Sequence, residues 1–443
     1  MQPQPRSLVL ANGMRCLLQP QAGSQVCLQL AYRLGRREDS PAQPGLAGLA
    51  LQAMAGPSRQ LGPGAHAQWL AGAGGVGQLS LLTDYGLIAS TVPARQLEPL
   101  LWAEAERCAN VQLDAASLHA ARQRQALALQ CERARPLDRL TQAARQIDQD
   151  AQTGRSDQSD QAAAAPAAGM EALRDFLDAR RHPEQILLVL TGAFDPERAQ
   201  RSLAHWFGSI RAPLSSLPLA GPAGPVEPAA SGATPAAPRQ AQQQAQQVAQ
   251  QHAQQQAAPP ARQLALAWPG LPLPGAALLW PAPAAGAPGA AVWQLAQALL
   301  GLGPSGRLHD TLVDEQAVVH ALSLSLQQHR EGGQLVLAAL GARGQSAAPL
   351  AAALQRELQR LADEPISQAE LDKARGLLLR QRQRERASPA GLAAALAQAW
   401  LQAPWNDAAL AEVDAAQIQQ LWRRELQGPP RLSLLAHVQG GRS

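Results

Sequence analysis

Histidines and cysteines are the residues of this sequence that could bind a metal or act as nucleophiles, and they are widely scattered. The four cysteines share two properties, since none forms a C-x-x-C pair and each stands among apolar or helical residues; they are Cys16, Cys27, Cys108 and Cys131. We expect buried free thiols rather than a disulfide or a metal site. His66 and His309 each stand alone, and they would be zinc ligands only in an enzyme of unconventional type.

The composition indicates neither a nucleic-acid surface nor a membrane span. The formal net charge is +4 and the pI about 9.2, but the basic residues are spread along the chain without interleaved aromatics. The first residues, MQPQPRSLVLANGM, lack the apolar segment of a signal peptide, and no apolar run approaches the ~18 residues of a spanning helix. We therefore expect a cytoplasmic protein, or a periplasmic one if a signal peptide has been removed.

The stretch from Pro44 to Pro57, PGLAGLALQAMAGP, predicts an amphipathic helix. Its apolar residues recur at the spacing of one helix face: Leu46, Leu49, Ala50, Ala53 and Met54. A face of this kind packs against a core, so the helix is expected to be buried on one side.

This helix resembles the signature helix of the zinc peptidases of the insulinase and mitochondrial-processing-peptidase family, which reads G-[LI]-A-H-[LF]-L-E-H-M. Residues 45–47 match the opening triplet, so Gly48 and Gln52 stand where the family has its two zinc histidines. Leu51 stands where the family has its general-base glutamate. A zinc hydrolase needs metal ligands and a carboxylate that takes a proton from water. The resemblance therefore implies a zinc-peptidase scaffold without its catalytic side chains.

The family's third zinc ligand is a glutamate roughly 75 residues past the signature helix. That count falls near Ala128 and Leu129, and the nearest acid, Glu132, is interpreted as a surface residue. The resemblance thus implies that all three ligand positions lack a ligand.

Other motifs extend the resemblance along the chain. The turn Asn12-Gly13 predicts a hairpin near the N-terminus. Residues 72–78, GAGGVGQ, resemble the family's G-G-x-x-N-A strand with Gln78 in the asparagine position, and no G-K-[ST] follows that would indicate a phosphate-binding loop. Residues 191–197, TGAFDPE, resemble the family's [AV]-G-D-[FV]-[DS]-P-E-E.

Two helix starts are predicted from local capping patterns. Asp195 is expected to cap a helix whose first residue is Pro196, where a missing N–H costs nothing. Ser367 and Glu370 form an S-x-x-E capping box.

The second half of the chain repeats the first. Seven residues recur at one offset of 253: Leu118, Ala121, Arg122, Glu132, Arg133, Ala134 and Pro136 correspond to Leu371, Ala374, Arg375, Glu385, Arg386, Ala387 and Pro389. This repetition predicts a duplicated domain, and 443 residues are enough for two. The resemblance implies an α+β fold of two homologous halves, each a mostly antiparallel sheet covered by helices, that face each other as a clam shell.

Composition divides the chain between these halves. Residues 212–262 are rich in proline, alanine and glutamine, which predicts a flexible linker because such a segment buries little apolar surface. We predict an N-terminal peptidase-like domain at residues 1–211 and a C-terminal one at residues 263–443.

One part of the second half resembles the family's substrate-contacting residues. Residues 300–308, LGLGPSGRL, are similar to L-G-G-G-x-S-S-R-L, which aligns Ser305 and Arg307 with the family's serine and arginine. His320 lies 13 residues further on, where the family has tyrosine, while Val313 and Ala317 occupy positions that normally hold arginine and glycine. An arginine can hold a peptide carbonyl or carboxylate, and a neutral imidazole can donate one hydrogen bond.

The resemblance therefore implies peptide binding by Arg307, His320 and Ser305. The competing interpretation is that Arg307 makes a structural salt bridge in its loop and that His320 is an ordinary strand histidine.

The function implied by the resemblance is that of a non-catalytic subunit of a heterodimeric zinc peptidase. The chain would hold peptide substrate while a zinc-bearing paralogue supplies the metal, so no cofactor is expected in this chain itself and no activity without the partner. One alternative is a structural protein with the same fold, and a specialised case is a subunit of the protease that processes the pyrroloquinoline quinone precursor peptide. A zinc enzyme that uses His66 or His309 is the third hypothesis.

Overall fold

A computed structural model describes residues 5–39, 43–152, 169–212, 261–268, 270–301, 306–403 and 406–438. The predicted linker at residues 212–262 lies outside these ranges except at its two ends. None of the helices in the described ranges is long and apolar enough to cross a membrane.

The strands of the first half form one sheet in the order β1-β2-β6-β3-β5-β4. They are β1 Arg6–Val9, β2 Arg15–Pro20, β3 Gln25–Tyr32, β4 Val76–Leu81, β5 Gly86–Pro93 and β6 Ile186–Gly192. β1 and β2 make the hairpin predicted from Asn12-Gly13, and Gly13 has the positive φ of 84° that favours glycine in such a turn.

The strands of the second half form a sheet in the order β7-β11-β8-β10-β9. They are β7 Arg262–Trp268, β8 Gly275–Ala282, β9 Val319–Gln328, β10 Gly333–Gly341 and β11 Leu432–Val438. In both sheets one neighbouring pair is parallel (β2 with β6, β7 with β11), and the pairs that follow it in the sheet are antiparallel. The same arrangement in both halves is what the repeated residues predicted, and the α+β fold class is confirmed.

Helices cover both sheets. In the first half, α1 to α7 span Leu46–Met54, Ala65–Gly72, Leu97–Ala109, Ala115–Arg133, Pro136–Gln152, Met170–Asp178 and Pro196–Phe207. In the second half, α8 to α13 span Ala290–Gly301, Ala347–Asp363, Gln368–Ala387, Pro389–Leu401, Asp407–Glu412 and Ala415–Leu421. The predicted caps are confirmed: Asp195 accepts a hydrogen bond from the Arg198 N–H at 2.7 Å, and Ser367 with Glu370 forms the capping box of α10.

The four cysteines are free, as expected. Three are buried, but Cys131 is exposed, and for it the expectation of burial was wrong. It lies on a stretch of α4, residues 126–131, whose side chains all face solvent, so a helical position was not enough to predict burial.

The two halves exchange helices. α5 comes from the first half but packs on the sheet of the second, where Leu140 and Ala144 lie against Leu279 and Val336. α11 comes from the second half and packs on the sheet of the first, and the helix residue Ala397 belongs to that core. One face of each sheet is therefore covered by a helix of the other half, so the two halves are joined by a shared core.

Polar contacts fix both exchanged helices. The Gln29 amide donates to the Ala393 carbonyl at 3.1 Å, and the Thr191 hydroxyl donates to the Pro389 carbonyl at 2.7 Å. On the other side, Arg145 of α5 donates to the Ser325 carbonyl of β9 at 3.1 Å. These bonds satisfy polar groups at buried or half-buried positions, where an unpaired group would cost free energy.

The halves also meet where two turns touch. The turn after β4 contains Asp84, and the turn after β9 contains His329, whose buried ring lies with Nδ1 3.7 Å from an Asp84 carboxylate oxygen. Neither ring nitrogen has a hydrogen-bond partner among the described residues. Burial lowers the pKa of His329 to about 4; the charge of Asp84 opposes this shift, and the charges of Arg37 and Arg145 add to it.

We predict that this histidine makes stability depend on pH. The unfolded chain protonates it near 6.5 and the folded chain only near 4, so its contribution is complete above pH 6.5 and is lost as the pH falls toward 4. Urea unfolding at pH 4 to 7 should therefore show a smaller fall in unfolding free energy for His329→Gln than for the wild type. His119→Gln, at an exposed histidine of α4, is the matched control. An unchanged pH profile in His329→Gln would contradict the prediction.

Candidate functional site

The helix that resembles the zinc signature, α1, is held in place by Asp39. One carboxylate oxygen of Asp39 accepts from the Gly45 N–H at 2.9 Å, and the other accepts from the Ala47 N–H at 2.7 Å. A carboxylate at a helix N-terminus satisfies unpaired N–H groups and is favoured by the helix dipole. The entry to α1 is thus fixed by a charged group.

The position of the general base is filled by an apolar side chain. Leu51 is buried in the core of the first half, together with Leu46, Leu49 and Met54 of the same helix. It can neither bind nor deprotonate a water molecule, so α1 has no general base at this position.

The two positions of the zinc histidines are engaged by α4. The Gln125 amide donates to the Gly45 carbonyl at 2.7 Å, and a Cβ atom on Gly48 would lie only 2.8 Å from the same amide nitrogen. Arg124 donates to the Gln52 carbonyl at 2.9 Å. The side-chain oxygen of Gln52 is buried and has no hydrogen-bond partner among the described residues. The space beside Gly48, where a histidine side chain would project, therefore already holds a glutamine.

The residue of α4 that reaches α1 is one turn away from the counted position. Ala128 and Leu129 are exposed, whereas Gln125 lies against α1. The counted residues and Gln125 are three or four positions apart, which is about one turn of the helix. The side chain of Glu132 lies outside the described part of the structure.

These residues do not fit a zinc ion. A glycine, a leucine and two amides supply none of the imidazole, thiolate or carboxylate groups that zinc prefers. In the described ranges, the group of three potential ligands that converges is elsewhere, at His309, Asp310 and Asp314. No step of zinc hydrolysis can be built on α1 in this chain.

His66, one of the two isolated histidines, belongs to a buried polar network. Its Nε2 lies 3.0 Å from Glu104, which also accepts from Arg107 at 2.9 Å and from the Ser90 hydroxyl at 2.6 Å. Burial raises the pKa of Glu104, but Arg107, His66 and Ser90 together lower it to about 2. His66 is therefore a partner of a fixed carboxylate that links α2 to α3.

The Arg307 side chain is engaged within its own half. Its Nε and Nη2 donate to the two carboxylate oxygens of Glu370 at 3.1 and 3.0 Å, and Nη2 also donates to the Pro365 carbonyl at 2.9 Å. Burial raises the pKa of Glu370, but hydrogen bonds from Ser367 and from Arg307 lower it below its usual value. Nη1 of Arg307 is buried without a hydrogen-bond partner among the described residues. These contacts, together with a Glu364 carboxylate oxygen 3.9 Å from Nη1, are those of the structural interpretation.

His320 has different surroundings. It is exposed at the start of β9, in a β-bulge, because Ala321 pairs with Leu340 and Val319 with Gly341, which leaves His320 as the extra residue. A bulge redirects the side chain of its extra residue. His320 lines a cavity of about 610 Å³, and Arg307 is not among the lining residues. The structure thus does not bring the two predicted residues into one cavity, and Ser305 lies outside the described residues.

Sequence reasoning missed two residues near these positions, and it named a third, Ala317, without predicting its backbone strain. Gln125 gave no motif signal, and Arg343, which lines the His320 cavity, looked like any other surface arginine. Ala317 has a positive φ of 50°, a left-handed conformation that costs a non-glycine residue free energy. The resembled family has glycine in that position, and this could have predicted the left-handed backbone conformation of Ala317.

The fold and the site together define a class of protein. The chain has two homologous α+β halves, and α1 is ordered but lacks the metal ligands of a zinc peptidase. This combination is that of a zinc-peptidase-like protein without a metal site on α1. Comparison with family models supports this class: residues 168–378 match the family described as "Peptidase M16 inactive domain". Over these residues the chain is similar to that family, and the resemblance predicted from its motifs is confirmed.

Solved structures share the fold. A protease from Helicobacter pylori has a TM-score of 0.77 at 16% identity, with 98% of this chain and 100% of that chain covered. The peptidase M16 inactive domain from Pseudomonas fluorescens has a TM-score of 0.74 at 16% identity, with coverage of 100% and 99%. The first half of the periplasmic protease PqqL from Escherichia coli has a TM-score of 0.65 at 13% identity, with coverage of 99% and 92%. A comparison with curated proteins gives no match.

We predict that Gly48 and Gln125 are energetically coupled. Gly48→Ala should gain about 1 kcal/mol of helix propensity but lose about 1 kcal/mol when its Cβ displaces the Gln125 amide from Gly45. It should therefore be nearly neutral in the wild type and stabilising in a Gln125→Ala background, as measured by urea unfolding. Gly376→Ala in α10, where no atom lies within 3.4 Å of the added Cβ, should show no coupling to Gln125→Ala. Additive effects of Gly48→Ala and Gln125→Ala would contradict the packing described.

We predict that Ala317→Gly stabilises the protein, by up to about 1 kcal/mol, because relief of the left-handed strain outweighs the greater entropy of glycine in the unfolded chain. Thermal and urea unfolding measure the change. Ala321→Gly, four residues later in β9 and paired with Leu340, should destabilise and serves as the matched control. A destabilising Ala317→Gly would mean that the turn is not strained.

Proposed function

We propose that this chain is a non-catalytic, substrate-holding subunit of a heterodimeric zinc peptidase that degrades or processes peptides. The observation that carries the proposal is the state of α1: the helix is capped by Asp39 and packed in the core, yet Gln125 occupies the space beside Gly48. A chain that keeps this helix ordered without metal ligands would keep the shape of its side of the peptidase chamber. The partner subunit would need that side of the chamber to enclose the substrate.

The proposed partner is a zinc-bearing paralogue of the same fold. Its α1-equivalent helix would carry the H-x-x-E-H residues, so zinc would be bound in the partner and not in this chain. The match of residues 168–378 to an inactive domain supports this assignment of roles. The structural neighbour from Helicobacter pylori is described as a protease, and the one from Pseudomonas fluorescens as a peptidase M16 inactive domain. Proteins with this fold are therefore described both as proteases and as inactive domains.

Peptide holding is proposed for Arg307, His320 and Ser305. For Arg307 the contact would replace a present one, because Nε and Nη2 are bound to Glu370 and the buried Nη1 lies 3.9 Å from a Glu364 carboxylate oxygen. His320 is exposed on its bulge and has room for a ligand in the adjoining cavity.

The bidentate contact of Arg307 with Glu370 also favours a second candidate, a structural protein of the same fold. In that case the arginine only ties the helical segment at residues 307–315, before β9, to the capping box of α10. A complex with a partner would then form, but its activity would not depend on Arg307.

The experiment is co-expression with a paralogue that carries the H-x-x-E-H helix, followed by size-exclusion chromatography and a fluorogenic peptide assay. We expect a stable 1:1 complex that cleaves peptide, and no cleavage by this chain alone. The absence of a complex, or zinc-dependent cleavage by this chain alone, would overturn the proposal.

Within that complex, we predict that Arg307→Ala lowers kcat/KM by about tenfold, the equivalent of one lost charge-assisted hydrogen bond. Glu370→Gln is the matched control, because it breaks the same salt bridge but leaves the guanidinium available to substrate. It should change kcat/KM less than about twofold on the same scale. Equal losses in both variants, or no loss in either, would assign Arg307 to structure alone.

A further inference from the structure

The cavity beside His320 combines apolar walls with two basic side chains. It lies where β9 begins and β10 ends, has a volume of about 610 Å³, and is lined by Pro272, Leu273, Val313, Ala317, Val319, His320, Ala342 and Arg343. We propose that it binds the carboxyl terminus of a peptide, with the terminal apolar side chain in the cavity and the carboxylate on Arg343 and His320. The proposal rests on the peptide-holding function above and names the part of the peptide that is held.

Backbone geometry brings the two basic residues together. The Ala342 N–H donates to the Val318 carbonyl at 3.0 Å, so the residues just after β10 lie beside the start of β9. His320 follows Val319 as the extra residue of the bulge, and Arg343 follows Ala342 just before Gly344, whose φ is 84°. Both side chains are therefore presented at the same end of the sheet by fixed backbone.

The charge of this cavity has no counter-ion in the described part of the chain. Both His320 and Arg343 are exposed, and no described residue makes a hydrogen bond or an ion pair with either side chain. No acidic residue is among those that line the cavity. The acids of the preceding turn, Asp310 and Asp314, converge on His309 instead, with Asp314 3.3 Å from its Nδ1. A carboxylate entering here would meet an arginine fork and an imidazole with no competing anion.

The remaining walls decide which carboxylate fits. They are aliphatic or small, as in sites that bury an apolar group and orient it with a few polar ones. The guanidinium of arginine matches a carboxylate in a two-pronged geometry, which a neutral amide cannot reproduce. A peptide end with an apolar last residue presents both features within one residue, whereas an internal acidic residue presents its charge without the adjoining apolar group.

The test measures the binding of labelled peptides to the full chain, without any partner, by fluorescence anisotropy. The probes are fluorescein-labelled hexapeptides ending in leucine as a free acid, the same peptide as its C-terminal amide, and an amidated peptide with glutamate in place of the last residue. We expect the free acid to bind at least about tenfold more tightly than its amide, as expected for one charge-assisted contact.

Two variants assign the contact. Arg343→Gln should remove the preference for the free acid, and His320→Gln should reduce it, while both proteins keep the wild-type melting temperature. Arg356→Gln, at another exposed arginine for which no partner is described, should leave the preference unchanged. Equal binding of acid and amide, a preference that survives Arg343→Gln, equally tight binding of the glutamate peptide, or no binding of any probe would each overturn the proposal.

These outcomes are separate from the test of the proposed function. Cleavage by the complex with the zinc-bearing paralogue depends on association and on the partner's metal, and it can succeed when acid and amide bind equally. Conversely, discrimination between acid and amide by the isolated chain would persist if no complex formed.

Discussion

The exchange of helices between the two halves is the constraint on which the rest of the structure depends. α5 covers one face of the second sheet and α11 covers one face of the first, and in both places buried aliphatic side chains meet across the boundary. If the halves separated, both sheet faces would lose their cover and expose apolar surface to water. The two halves are therefore held together by the exchanged helices, because each half covers a sheet face of the other.

This exchange also determines how α1 is supported. α4 and α5 follow each other across a break at Pro136, and α4 stays with its own half, where Gln125 and Arg124 bond to α1. α5 then crosses to the other half, where Asp148 accepts from Gln334 at 2.6 Å and from Arg431. α4 is thus anchored on α1, and α5, which follows it directly, is anchored on the opposite sheet.

Sequence reasoning succeeded where structure is determined locally and failed where partners are distant. The capping box of Ser367 and Glu370 and the cap at Asp195 depend on residues three apart, and both were predictable. Glu370 was identified as a capping residue, but nothing in the sequence showed that it also binds Arg307, 63 residues away. The same limit explains Gln125, because a count over many residues accumulates loop-length differences and cannot fix the helix position to better than a turn. The repeat at offset 253 predicted duplication but not that the duplicated helices would be exchanged.

A helix built to hold zinc normally gains stability from the metal, since binding free energy adds to folding free energy. In this chain four other hydrogen bonds act on the same helix: the two N–H bonds to Asp39, the Gln125 amide bond to the Gly45 carbonyl, and the Arg124 bond to the Gln52 carbonyl. Each is a hydrogen bond with a charged or amide group at a half-buried position, of a kind worth about 1 kcal/mol or more. The helix therefore stays ordered without an ion because neighbouring side chains occupy the positions around it. It follows that a histidine placed at position 48 would first have to displace Gln125, so this position is closed to a zinc ligand by packing as well as by the loss of the histidine.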